Sequence, residues 1–222
     1  MNLEALVAAF RIDAKDRIAP HLFAEEDVVA WLNDAQKEAA VRGRLLHESN
    51  NAAVCQIAVQ AARAVYPLHE ALYELDYLGF ESPNEACVQE LSLKSTGELD
   101  RIMPGWRSST GAPVYVVQDD TTLRLVPKPS APGLLRLEGY RLPLDELTAD
   151  GDEPEIHMAH HRHLVDWALH RAFSVPDADT FDPQRAANAE RAFTVYFGLS
   201  PDSDLRRVTR HDQEHHTLPF FP

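Results

Sequence analysis

The chain has 222 residues, 45% hydrophobic and 25% charged, and its 21 basic and 35 acidic residues give a formal net charge of −14. This is the balance of a globular protein long enough to bury a large core, which excludes disorder as a description of the whole. The acidity argues against a surface that grips nucleic acid, since phosphate binding needs a basic patch and draws on counterion release; a surface that DNA passes without sticking remains compatible with it.

The first 46 residues predict two helices. Leu3, Leu6, Val7, Phe10 and Ala14 recur at three and four residues from Leu3 to Ile18, and Pro20 ends the run. A second stripe, Val28, Leu32, Ala35 and Ala39, runs from about Glu25 to Arg44, with acids in its first turn, Arg42 and Arg44 in its last, and Gly43 placed to stop it. Ala24 stands where a capping Ser or Thr is usual. The period then changes to two. Strands are expected over Cys55 to Ala61, Tyr73 to Phe80 and Cys87 to Leu93, with both cysteines as small buried hydrophobes and no disulfide. The uncharged run Ser49 to Ala62 is too short and too rich in amides to span a bilayer, and Glu4 inside the first apolar stretch argues against a signal peptide, so the chain is expected to be soluble and intracellular where it is made.

Ser95 with Glu98 resembles a capping box opening a short helix to about Met103. Val114–Gln118 and Thr122–Val126 read as a hairpin, and Leu134–Leu142 as one more strand. Six acids and no base follow from Leu144 to Glu155, namely Asp145, Glu146, Asp150, Asp152, Glu153 and Glu155. They read as a solvated loop leading into a helix with Pro154 at its first position. That helix carries Ile156, Ala159, His163, Leu164, Trp167, His170 and Phe173 on one face and stops at Pro176. Asp182-Pro183 caps a fourth helix with Ala186, Ala189, Phe193, Tyr196 and Phe197 inward and Gly198 as its stop.

The expected fold is therefore α+β, a helical bundle formed by the N- and C-terminal helices with an inserted antiparallel β domain and an extended C-terminal arm. Its parts are the N-terminal helices (1–50), the β-rich insertion (51–150), the C-terminal helices (151–198) and the arm (199–222). Exposed apolar helix faces must be buried somewhere, which is why the two ends are paired.

Chemistry-bearing patterns are sparse. His157, His160, His161, His163 and His170 crowd one helix, and with His157 and His161 four apart and His157 and His160 three apart, two imidazoles share a helical face on which zinc could bind. A metal-dependent hydrolase using the His157–His170 cluster is the alternative reading, but Met158 stands where the zincin pattern needs Glu. His211-Asp212 lies in the aperiodic tail. No nucleophile elbow, phosphate loop or calcium-loop spacing is present. Trp106-Arg107 after Pro-Gly reads as a tryptophan covering a sheet end rather than a base-stacking platform. The expectation is no enzyme, no catalytic or metal-binding residue and no cofactor.

Several segments, taken in order, carry a resemblance. Trp31-Leu32-Asn33-Asp34-Ala35-Gln36-Lys37-Glu38-Ala39-Ala40 with Arg42 to Leu46, then Tyr66-Pro67-Leu68, resembles the N-terminal part of tailed-phage head-to-tail adaptor (connector, neck) proteins. Glu98-Leu99-Asp100-Arg101, Pro104-Gly105-Trp106-Arg107 and Gly111-Ala112-Pro113 are similar to that family's middle, and Thr122-Leu123-Arg124-Leu125 and Tyr140-Arg141-Leu142-Pro143-Leu144 to its hairpin. Asp152-Glu153-Pro154-Glu155-Ile156, Leu164 to Leu169 and Asp177 to Pro183 complete it, over about residues 25 to 198. The resemblance implies a virion structural protein at the head–tail junction. It forms a ring with itself, commonly twelve-fold, docks under the portal protein, extends the DNA channel and offers a platform to a tail or nozzle protein. Genomic DNA passes without sequence-specific binding, and no membrane is involved. In that frame Asp145, Glu146, Asp150, Asp152 and Glu153 are candidates for the lumen or rim, and Leu218, Phe220 and Phe221, with Arg206 and Arg207, for partner binding by the arm. A host-directed or regulatory binding module is the remaining alternative class.

Overall fold

In a computed structural model, residues 1–83, 87–176 and 180–201 are described. The elements in chain order are α1 (Leu3–Ala14), α2 (Glu25–Gly43), β1 (His47–Glu48), α3 (Ala52–Cys55), β2 (Gln56–Val59), β3 (Val65–Pro67), β4 (Leu72–Glu81), β5 (Gln89–Glu90), β6 (Ser92–Leu93), α4 (Thr96–Ile102), β7 (Thr110–Gly111), β8 (Tyr115–Gln118), β9 (Thr122–Val126), β10 (Lys128–Pro129), β11 (Gly133–Arg141), α5 (His161–Ser174) and α6 (Pro183–Phe197). The protein is α+β. It divides into a helical unit, residues 1–48, 71–74 and 139–200, and a β-rich unit, 49–70 and 75–138.

In the helical unit α1, α2, α5 and α6 bury their stripes in one core, with Leu6, Phe10, Val28, Leu32, Leu164, Val165 and Phe193 all fully enclosed. Phe23 meets Phe10, Trp31 and Phe173 edge-on at 5.6–5.8 Å, the arrangement ring quadrupoles favour. Helix α1 stops at Ala14, four residues short of the expected end. Lys15 turns left-handed, and the buried Asp16 carboxylate accepts the N–H groups of Leu22 (2.7 Å) and Phe23 (3.3 Å) and pairs with Arg11. That turn, and not Pro20, ends the helix. Helix α2 runs as expected from an Ala24 that makes no side-chain cap, but Gly43 stays helical and Arg44 takes the left-handed conformation. Helix α6 has the foreseen start, with Asp182 accepting from Gln184 N and Arg185 N.

The β-rich unit carries the sheet β3-β9-β8-β6, whose β8–β9 hairpin is the one the sequence implied, in a register that pairs Tyr115 with Val126. Ser95 caps α4 by accepting Glu98 N–H at 3.2 Å. Helix α4 and the sheet bury Leu99, Trp106, Val117 and Val126 together, and Trp106 Nε1 donates to Asp100 at 2.9 Å. Two expectations are corrected here. The start of the Cys55–Ala61 run is helical, because Asn51 accepts Ala53 N–H and opens α3, and Ala61 is exposed. Cys87–Leu93 holds only the two-residue strands β5 and β6, and Cys87 is exposed, so only Cys55 behaves as a buried hydrophobe. The expected antiparallel pairing holds for β1–β11, β2–β11, β3–β9, β4–β5 and β8–β9, with the two-residue β6–β8 and β7–β10 pairs parallel.

Candidate interaction surfaces

The acidic segment between β11 and α5 is more than a solvated loop. Asp152 accepts the N–H groups of Thr148 (2.8 Å) and Ala149 (2.7 Å), and these bonds hold its carboxyl below the usual carboxylate range. Glu155 accepts from Leu144 N and from Asp145 N, and receives Arg141 at 2.7 Å. Burial works against the Arg141 charge, but its bonds to Glu155 and Glu48 outweigh this and raise its pKa above the ordinary value. The loop is clamped to α2 by buried Asn33, which accepts Leu147 N–H at 2.8 Å and donates to Leu147 O at 3.0 Å, while Gln36 donates to Asp145 O. The start of α1 ties to its other side through Leu3 N to Asp152 O and Glu4 N to Asp150 O. Glu146 pairs with Lys37 at 2.6 Å, which lowers its pKa. Asp145, Asp150 and Glu153 point to solvent with no ion pair among the described residues. Because the loop uses residues up to His160 for turns, α5 opens at His161 rather than at Pro154, which is buried.

The late start of α5 also separates the histidines. His157 lies outside the helix, exposed, and does not share a face with His161. His161 is enclosed, its Nε2 bonded to Ile156 O at 2.8 Å and its Nδ1 2.7 Å from the Met1 amino group. It is buried rather than set on the helix surface. His160 and His163 hold the end of α6: His163 stacks on Tyr196 with centroids 3.6 Å apart, and His160 Nδ1 lies 3.2 Å from the Tyr196 hydroxyl. Burial, then the neighbouring His157, His161 and His163, push His160 below its ordinary pKa, whereas burial raises Asp166 despite its contact with His163. Among the described residues no three His, Cys, Asp or Glu side chains converge as a metal site would need.

A groove that sequence reasoning missed runs between α2 and α5. Val41, Leu142 and Trp167 floor it, Asp34, Lys37, Glu38 and Arg171 rim it, and it encloses about 250 Å³. Arg42 lies 5.0 Å from the Trp167 ring, bonds Glu38 at 2.7 Å, and reaches Thr194 Oγ1 and Gly198 O at the end of α6. The signal was present as Asp34, Lys37 and Glu38 at helical spacing on α2, but nothing in the sequence says that α5 presents Trp167 and Arg171 to that side. The arm residues Arg206, Arg207, Leu218, Phe220 and Phe221, and with them the extended arm itself, lie outside the described residues.

The family model described as SU10 adaptor protein matches residues 1–215. No curated protein matches the chain.

Proposed function

From the premise that this chain belongs to the SU10 adaptor protein family, we propose that it builds a ring, twelve-fold in the common arrangement, that docks beneath the portal protein and carries a tail or nozzle protein on its other side. The protein is a phage adaptor, a structural component of the virion, and the match over residues 1–215 carries the proposal. No helix among the described residues is long and apolar enough to cross a membrane. The acidic loop supports a place on the lumen or rim. Its backbone is fixed by Asn33, Asp152 and Glu155, so Asp145, Asp150 and Glu153 present a fixed negative field, which repels the phosphates of passing DNA. The arm, through Leu218, Phe220, Phe221, Arg206 and Arg207, is the partner-binding element. Burying each of those apolar side chains contributes about 1.5–3 kcal/mol before ordering costs. The histidine hydrolase gains no support from the separated positions of His157 and His161.

Electron microscopy of the protein mixed with its portal tests the reading. Rings of repeated subunits seated under the portal are expected. A chain that stays a monomer or a dimer indifferent to portal overturns it.

A further inference from the structure

The Trp167 groove has the chemistry of a receptor for extended, proline-containing chain. Its floor is aromatic and aliphatic, through Trp167, Val41 and Leu142. The Trp167 indole N–H has no acceptor among the described residues. On the rim the ion partner of Asp34 among the described residues is Arg171, at 3.7 Å and half in water, a pair easily exchanged. An aromatic-lined groove with a free indole donor and acids on its edge suits a polyproline-type segment, whose rings lie on the aromatic face while its carbonyls accept hydrogen bonds and nearby arginines pair with the acids. Of the two stretches with a P-x-x-P spacing, Pro129–Pro132 begins inside β10 with Pro129 buried, which leaves the one at the end of the sequence. Leu218-Pro219-Phe220-Phe221-Pro222 contains a P-x-x-P spacing, and Arg206, Arg207 and Arg210 precede it. The 17 residues from Pro201 to Thr217 allow a reach of at most about 60 Å when extended, enough to leave one subunit for another.

We propose that the groove between α2 and α5 receives the Pro219–Pro222 segment of a second copy of this chain. This rests on the ring reading above, in which each copy offers one groove and one arm, and a head-to-tail contact of that kind builds a ring where the rotation between copies closes. A groove of about 250 Å³ accepts a few side chains and no folded element, so a single pairing is weak. The ring multiplies it, because neighbours hold arm and groove at high effective concentration.

Disulfide trapping between full-length chains tests the pairing. Both chains carry Cys87→Ser, since Cys87 is exposed and Cys55 is buried; one also carries Asp34→Cys and the other Phe221→Cys. Mild oxidation of the mixture is expected to give a covalent product of two chains. Its yield should fall at least tenfold when Pro219 and Pro222 of the arm-bearing chain are replaced by alanine, changes that leave groove and core untouched. Trp167→Ala in the other chain should do the same with its circular dichroism retained. No product, or a product insensitive to the proline changes, overturns the proposal. So does a bridge formed only within one chain when both cysteines are placed in it, which would mean that the arm fills its own groove. Rings imaged on the portal without trapping defeat the pairing and leave the ring reading standing, whereas trapping without portal rings does the reverse.

Discussion

In the helical unit α1, α2, α5 and α6, of 12 to 19 residues, feed one continuous apolar core, whereas the β-rich unit holds strands of two to five residues beside the longer β4 and β11, over a smaller cluster around Trp106. Charge divides as unevenly: the helical unit has 11 basic and 21 acidic residues, a net of −10, and residues 49–70 and 75–138 have 7 and 10, a net of −3. Long helices bury a stripe and leave a broad outer face for charge. Short strands, each half in and half out, hold their backbone by many brief ladders and tight approaches, so geometry rather than buried area limits what substitutions they accept. The two surfaces given a proposed role, the clamped acidic loop and the Trp167 groove, lie on the unit with the larger core. Rigid elements there suit the holding of side chains in place for such a role.

The largest effect expected from this contrast is at Phe193, fully buried in the helical core and in ring contact with Trp167 at 5.0 Å and Phe197 at 4.6 Å. Phe193→Ala removes those contacts and leaves a cavity, and is expected to destabilise the helical unit by about 3–5 kcal/mol. Hydrogen exchange of α5 and α6 amides with denaturant measures it. A loss below about 1 kcal/mol would mean that the core repacks freely and is not the rigid support this comparison takes it to be.

Legibility followed the same divide. The stripes of α1 and α2 repeat over three or more turns, and the Asp182-Pro183 start of α6 is a cap made by its own neighbours in sequence, so local pattern and tertiary burial agree. Two-residue strands such as β5, β6, β7 and β10 have no period to read; they exist because a partner strand is near. The start of α5 was missed for a related reason. Pro154 after two acids is a sound local start signal, but Asp152 and Glu155 spend their oxygens on the loop backbone and not on a cap, a choice that depends on Arg141 and Asn33, distant in sequence. The acidic loop was therefore legible as residues and not as a held structure. Burial of His161 follows from that shift in helix start, and the groove depends on how α5 packs against α2; both lay beyond sequence pattern.

A middle-sized effect is expected in the β-rich unit at Gly133, where β11 pairs with β2. An added Cβ there would stand 2.5 Å from Phe80 Cζ and 2.6 Å from the Glu81 carbonyl oxygen, and a backbone oxygen cannot swing aside. Gly133→Ala should cost about 1–3 kcal/mol, the range of overpacking, although it adds a single methyl group. Denaturant unfolding followed through the β-rich unit measures it. A neutral result would show that this unit yields more readily than its close approaches imply, and would weaken the distinction between geometry-limited strands and area-limited helices.

The smallest effect lies where α5 and α6 meet. His160 faces His157, His161 and His163 from its own segment and Tyr196 and Phe197 from α6, while Asp166 is opposed by His163 and Arg162 and neighboured by Asp13 from α1. Burial and the surrounding imidazoles disfavour the His160 cation, so its folded pKa lies below its ordinary value of 6.5. Folding then favours the neutral ring: the contribution is complete above pH 6.5 and is lost as the pH falls through that value and the unfolded chain takes up the proton first. Asp166 has the opposite sign, because burial raises its carboxyl and favours the protonated form. Its contribution is lost as the pH rises above the carboxylate's ordinary 3.8, on the acid side of the histidine window. The helical unit is thus expected to melt at lower temperature at pH 5.5 than at pH 7.5, and His160→Gln should flatten that dependence. His157→Gln, at an exposed position, should change stability at pH 7.5 by no more than about 0.5 kcal/mol. Melting curves across this range decide the matter: a midpoint that holds steady or rises on acidification means that Tyr196 and Asp166 accommodate the histidine cations, and that this end of the helical unit tolerates charge as readily as its outer face.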